Sequence, residues 1–237
     1  MLSLLRNHTR TIPPLTKLGY ASLDQYDQHT NMDLLAIIRK TIQLTNEHSV
    51  RSNKRTDAFH HEIGKLVISW NPSWTYTIEH AVPIPCGRSK KYKADIAFFD
   101  PTAKLVAVVL AKCSMNNISQ NEANLDNVKI GECVKVRSGN PDVKIYCLDI
   151  IPVRRPYYFK DGSIKHWETT DIEKDRESSK GWLTMMQAVK PPLVDDKFVI
   201  YTNNEYPTPD TVVCTSIADS ADFDRFRNTI LAMRPTP

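Results

Sequence analysis

No apolar run in this chain approaches the roughly 18 residues that a membrane-spanning helix needs. The opening stretch MLSLLRNHTR holds too short an apolar segment for a secretory signal. These two absences predict a soluble, intracellular, cytoplasmic protein with no membrane partner. Cysteine is sparse and shows no pairing pattern. Cys86, Cys113, Cys133, Cys147 and Cys214 make an odd set of five with no CxxC spacing. That argues against a disulfide frame or a zinc site and predicts reduced, mostly buried thiols. Histidine offers one close pair, His60 and His61, but adjacent helix residues point about 100° apart and chelate poorly. Charge of one sign is lacking too. Lys and Arg total 31 against 27 acidic residues, a net charge of +4, which is compatible with a phosphate-binding face without requiring one. There is no internal repeat and no long linker. With 41% hydrophobic residues over 237 positions, the chain predicts a single domain spanning residues 1–237.

The patterns that are present begin after an irregular arm of 30 residues containing Pro13-Pro14. Leu34, Leu35, Ile37, Ile38, Ile42 and Leu44 recur at helical intervals and predict a helix over 31–50, capped by Asn31 or Asp33. After the basic stretch Arg51–Arg55, a second helix is predicted over Asp57–Trp70, with Phe59, Ile63, Leu66, Val67 and Trp70 on its apolar face. Trp74–Val82 is aromatic and β-branched and reads as a strand ended by Pro83 and Pro85. A basic loop, 86–93, carries Arg88, Lys90, Lys91 and Lys93. Two strands, Lys93–Phe99 and Lys104–Lys112, are joined by the turn Asp100-Pro101-Thr102-Ala103. A helical pattern over 116–138 stops at Gly139-Asn140-Pro141, and Val143–Ile151 reads as a buried strand. Beyond it, Arg154–Lys180 is polar, with a turn at 160–162 and a solvated charged stretch, Asp171–Glu177. Leu183–Val189 reads as helix, Lys197–Tyr201 as strand and Asp222–Met233 as an amphipathic helix.

With the turn centred near residue 102, antiparallel pairing sets Asp95 opposite residue 109, give or take one. Strand side chains alternate faces, so positions 110 and 112 share a face beside Asp95. The resulting order is Lys93-Ala94-Asp95, a turn, an apolar strand, then Leu110-Ala111-Lys112. This resembles the PD-(D/E)xK superfamily, which includes many type II restriction endonucleases. In that family an Asp on one strand faces a Glu-x-Lys on the next. Ala94 stands where the motif has Pro, a common relaxation. The resemblance covers about residues 57–151 and implies an α/β fold: a central mixed β-sheet flanked by helices, with an αβββαβ core. An N-terminal helical arm and a C-terminal elaboration surround that core.

The resemblance further implies Mg²⁺-dependent hydrolysis of double-stranded DNA at a specific sequence, by a homodimer. Phosphodiester cleavage needs a hard cation near the scissile phosphate, an activated water and stabilisation of building oxyanion charge. By resemblance, Asp95 and the backbone carbonyl of Ala111 would hold the metal. Lys112 would orient the water or steady the phosphorane, and Glu62 would complete the site through a water. Leu110 departs from the pattern, because leucine can neither bind a metal nor accept a proton. Three readings of it stand. A Glu→Leu change, engineered or natural, has disabled the catalyst, which is the preferred reading. A carboxylate has been supplied from elsewhere, with Glu79 and Glu122 as the candidates. Or the hairpin is structural and the motif is chance. Arg88, Lys90, Lys91 and Lys93 are candidate phosphate contacts, joined by Lys129, Lys135, Arg137 and Arg154-Arg155. Asn116, Asn117, Gln120 and Asn121 are candidate base readers, since amides match adenine edges. The alternative to an enzyme is a non-catalytic nucleic-acid-binding module on the same fold.

Overall fold

A computed structural model describes residues 23–48, 53–85, 90–115, 118–161, 163–208 and 211–233. The elements run α1 (Leu23–His48), α2 (Asn53–Trp70), β1 (Thr75–Pro83), β2 (Lys91–Phe99), β3 (Leu105–Cys113), α3 (Ile118–Gly139), β4 (Lys144–Pro152), β5 (Arg154–Tyr158), β6 (Ile164–Thr169), α4 (Ile172–Ala188), β7 (Asp196–Thr208), β8 (Thr211–Asp219) and α5 (Ala221–Ala232). The fold is α/β. A six-stranded mixed sheet has the order β1-β2-β3-β4-β7-β8. β1, β2 and β3 form an antiparallel meander, β4 and β7 add in parallel, and β8 closes antiparallel. The run α2-β1-β2-β3-α3-β4 has the αβββαβ order anticipated from the sequence.

Two apolar layers sandwich the sheet. Phe59, Ile63 and Val67 of α2, Leu34 and Ile38 of α1, and Phe223 and Phe226 of α5 pack on one face against Ile96, Phe98, Val109, Leu148 and Phe198. Cys133 and Val136 of α3 and Trp182 and Met186 of α4 pack on the other against Ala94, Val108, Leu110, Ile145 and Cys147. β3 and β4 are buried on both faces, so they read as continuous apolar runs without alternation. Gly64 fixes how closely α2 sits on β1. A Cβ there would lie 2.3 Å from the Tyr76 ring, and this contact seats His60, one turn earlier, over the sheet.

Several boundaries differ from the sequence reading. α1 starts at Leu23, because the stretch Leu23–Thr30 contains neither Pro nor Gly to stop it. The solvated charged stretch 171–177, assigned no element from the sequence, is the capped start of α4. The Asp171 side chain accepts from the Lys174 amide, and Glu173 and Asp175 complement the helix dipole in the first turn. The polar segment before it is a separate two-stranded hairpin, β5–β6.

Candidate functional site

The β2–β3 ladder pairs Ile96 with Val109 and does not continue past them. This register carries Asp95 opposite Leu110, within one residue of the position read from the turn. Where the ladder ends, the Asp95 carboxylate takes over as acceptor. Its Oδ2 receives the Ala111 amide at 2.9 Å and the Lys112 ammonium at 3.3 Å. Asp95 is buried, and its aim is therefore fixed by a backbone donor and not by side-chain packing alone.

Two groups converge on Asp95: His60, which the sequence reading passes over as a ligand, and Glu79, which it names as a candidate substitute carboxylate. β1 pairs with β2 through Ile78–Ile96 and His80–Ala94, which places Glu79 opposite Asp95. Glu79 holds φ at 51°, a left-handed backbone that L side chains adopt at a cost. Its Oε1 lies 3.8 Å from Nδ1 of His60, while Nε2 of His60 lies 3.9 Å from Asp95 Oδ2. His60 is buried and its Nε2 sits 3.1 Å from the Ala111 carbonyl oxygen. A carbonyl can only accept, so Nε2 carries a proton. In the neutral ring Nδ1 then carries the lone pair, and Nδ1 is buried with no hydrogen-bond partner among the described residues. One ligand atom from each of His60, Glu79 and Asp95 lies within 4.8 Å of the others.

Lys112 bridges to a further carboxylate. Its ammonium lies 3.6 Å from Glu132 Oε1 on α3. Glu132 Oε2 is buried without a hydrogen-bond partner among the described residues. Burial works against the Lys112 charge, but Asp95 and Glu132 outweigh it and hold the amine above its ordinary range. Lys112 is thus an ammonium at neutral pH. It can donate and stabilise negative charge, but it cannot take a proton from water.

The other anticipated residues are placed as follows. Glu62 accepts from Lys40 at 2.7 Å and Lys65 at 3.2 Å. Burial raises its pKa, yet these two lysines pull it below the usual carboxylate range. It stands two residues past His60, on the side of α2 that meets α1 instead of the sheet. Leu110 is 0% exposed and packs among Val108, Cys133 and Cys147. Arg137 is pinned by the Pro141 and Val143 carbonyls and Asp195, and Arg155 by Glu168 and Pro152, so both are structural. Lys129 is buried against Asp149. Lys90, Lys91 and Lys93 are exposed at the start of β2, and Lys135 is exposed over the Tyr92 ring. Arg88, Asn116 and Asn117 lie outside the described residues, as do the side chains of Gln120, Asn121 and Glu122 in α3.

His60 had a legible signal. It precedes Ile63 and Val67 by three and seven residues, so it lies on the buried stripe of α2. Comparison of the chain with family models, with curated proteins and with solved structures found no match. No helix among the described residues is long and apolar enough to cross a membrane.

Proposed function

We propose that the chain is a cation-dependent DNA phosphodiesterase of the PD-(D/E)xK kind, with its second carboxylate supplied by Glu79 instead of position 110. One observation carries this reading. Three carboxylates, Asp95, Glu79 and Glu132, crowd around one ammonium and one imidazole, leaving excess negative charge and, among the described residues, two buried acceptors without a hydrogen-bond partner, His60 Nδ1 and Glu132 Oε2. An acidic surplus of this sort, with Asp95 and Glu132 largely buried and Glu79 at the solvent edge, calls for a cation.

The donor set fits a divalent ion. Asp95, Glu79 and His60 would hold it, His60 through Nδ1, whereas the Ala111 carbonyl anticipated as a ligand accepts from Nε2 on the other edge of the ring. The imidazole in the set favours Mn²⁺ or a similar borderline ion over the anticipated Mg²⁺, which prefers oxygen alone. When bound, such an ion polarises a phosphoryl oxygen and lowers the pKa of a water. The protein's own residues do the rest. The Ala111 amide fixes Asp95, the Ala111 carbonyl fixes the His60 tautomer, and Lys112, held between Asp95 and Glu132, would offer its ammonium to the phosphorane oxygens. Exposed Lys90, Lys91 and Lys93 supply phosphate contacts beside the site. By the family resemblance, the substrate is duplex DNA bound by a homodimer.

A second reading, the non-catalytic binding module, is favoured by a different observation. Asp95 Oδ2 and the Ala111 carbonyl already have protein partners, so the fold closes without an ion. Cleavage of plasmid DNA with Mn²⁺ and with Mg²⁺, for wild type and Asp95→Asn, separates the two. The proposal expects cleavage with a thermal shift on adding cation, both lost in Asp95→Asn. DNA binding with neither effect in the wild type selects the binding module.

A further inference from the structure

The β5–β6 hairpin takes no part in the site described above, and its chemistry stands apart from the rest of the surface. Chain-wide, aromatic residues are 8%. Tyr157, Tyr158, Phe159 and Trp167 all fall within this short segment. Phe159 is 51% and Trp167 37% exposed, whereas Trp70, Trp74 and Trp182 are buried. Cations alternate with the rings. The Arg154 guanidinium lies 4.4 Å from the Trp167 centroid, and the Lys165 ammonium 5.5 Å from both Tyr157 and Phe159. Tyr157 and His166 stack at 4.6 Å and 16°. The hairpin's acids are committed elsewhere: Glu168 pairs with Arg155, and Asp161 caps its turn through Ser163. Exposed Arg154, Lys160 and Lys165 therefore give the surface a positive balance.

The platform is anchored and lies near the site. Val153 and Thr170 fix its base to β7 and to each other, and Tyr206 of β7 donates to the Arg154 carbonyl while packing edge-on to Trp167. Its first strand leaves the end of β4 five residues after Asp149, the residue registered beside Lys112. That is at most about 17 Å of extended chain.

We propose that the β5–β6 hairpin binds unpaired nucleotides of a single strand. Bases stack on Trp167 and Phe159, and phosphates meet Arg154, Lys160 and Lys165. Exposed rings spaced by cations suit a strand whose bases lack partners, since duplex bases are already stacked on one another. A charged turn at Lys160-Asp161 disfavours insertion into lipid. This inference rests on the nuclease reading of the Asp95 site and narrows its substrate to DNA with an unpaired stretch beside the cut.

The test uses the full chain in EDTA with a short oligodeoxythymidylate and, separately, a blunt duplex. Trp167 is the exposed tryptophan, so base stacking should quench intrinsic fluorescence. Trp167→Ala and Phe159→Ala should each weaken single-strand binding by roughly tenfold. Trp167→Phe should retain it, and duplex affinity and melting temperature should hold. If Trp167→Ala does not fold, Lys165→Glu, at an exposed position, must produce the same selective loss. Unchanged single-strand affinity in these variants overturns the proposal. So does a wild type that ignores the oligonucleotide but loses self-association when Trp167 is removed. Should cation-dependent cleavage of duplex survive alongside either result, the hairpin inference fails while the Asp95 reading stands. If Asp95→Asn changes nothing and neither nucleic acid binds, the Asp95 reading fails as well.

Discussion

Two clusters of ionisable side chains sit side by side across the sheet, and they are built on opposite plans. At β4, two buried ammoniums answer one carboxylate: Lys129 bonds Asp149 directly, and Lys197 lies 3.9 Å from it and over the Trp182 ring. At β1–β3, Asp95, Glu79 and Glu132 outnumber Lys112 and His60, and among the described residues His60 Nδ1 and Glu132 Oε2 are buried without a hydrogen-bond partner. A carboxylate fully answered by ammoniums serves the fold, whereas an open, acid-rich group is poised for something that the chain itself does not supply.

The sharpest way to break this contrast is to cut one acid from each cluster. Asp149→Ala leaves the Lys129 ammonium buried without its partner and should cost about 3–5 kcal/mol in urea unfolding. Asp95→Asn keeps an acceptor for the Ala111 amide and should cost under about 1 kcal/mol while abolishing the cation-induced thermal shift. Equal stability losses in the two variants would erase the distinction between them.

The next largest effect concerns position 110. By motif alone, restoring Glu there should restore catalysis. In the fold the side chain lies in the apolar layer beneath α3, so Leu110→Glu should destabilise by about 3 kcal/mol and add no cleavage. A stable, more active Leu110→Glu protein would return the second carboxylate to its motif position and remove Glu79 from the proposal.

How these residues compare with their sequence reading has a physical logic. The β2–β3 hairpin was legible because the Asp100-Pro101 turn fixes its register locally, and Asp95 follows from that. Glu79 was only an alternative, because its facing of Asp95 depends on the β1–β2 register, and the connection between those strands carries no comparable signal. Glu62 and His60 exchange roles for a rotational reason. Two residues on a helix are about 200° apart, so the imidazole faces the sheet while the acid meets Lys40 on α1. Glu132 went unnoticed because it reaches Lys112 across a helix–sheet contact that no spacing rule encodes. The charged start of α4 reads as solvated surface with no element assigned, since solvated charges cover helices and loops alike.

Alkaline pH should draw the same line between matched and strained groups, at smaller amplitude. Burial pushes the Cys113 thiol from 9.0 up to about 12. Burial, aided by the charge on Glu62, pushes the Tyr76 phenol from 10.0 up to about 12. Each folded pKa exceeds its unfolded value, so the native state binds the proton more tightly. Stability from these groups is fully present below pH 9 and declines as pH rises towards 12. Unfolding measured against pH should show that decline, and Cys113→Ala should make it shallower without moving its onset, because burial raises the Cys214 thiol from 9.0 to about 11 and the Cys147 thiol is raised as well. A flat profile would show that neither group is held as the fold implies.

The smallest effect is the most discriminating. Glu79 and Ala103 share one kind of backbone strain, with φ of 51° and 62°. Ala103 sits in the β2–β3 turn, where its amide donates to the Asp100 carbonyl and the Asp100 carboxylate collects the Thr102 and Lys104 amides. Nothing there needs a side chain at 103, so Ala103→Gly should stabilise by about 1 kcal/mol and leave cation response untouched. Glu79→Gly relieves the same strain and should stabilise the backbone similarly, but it removes the carboxylate that faces His60. The paired outcome expected is two proteins that both melt higher than wild type, of which only Ala103→Gly still responds to Mn²⁺. If Glu79→Gly kept its response, the strain at 79 would be structural like that at 103, and the metal would have to be held without it.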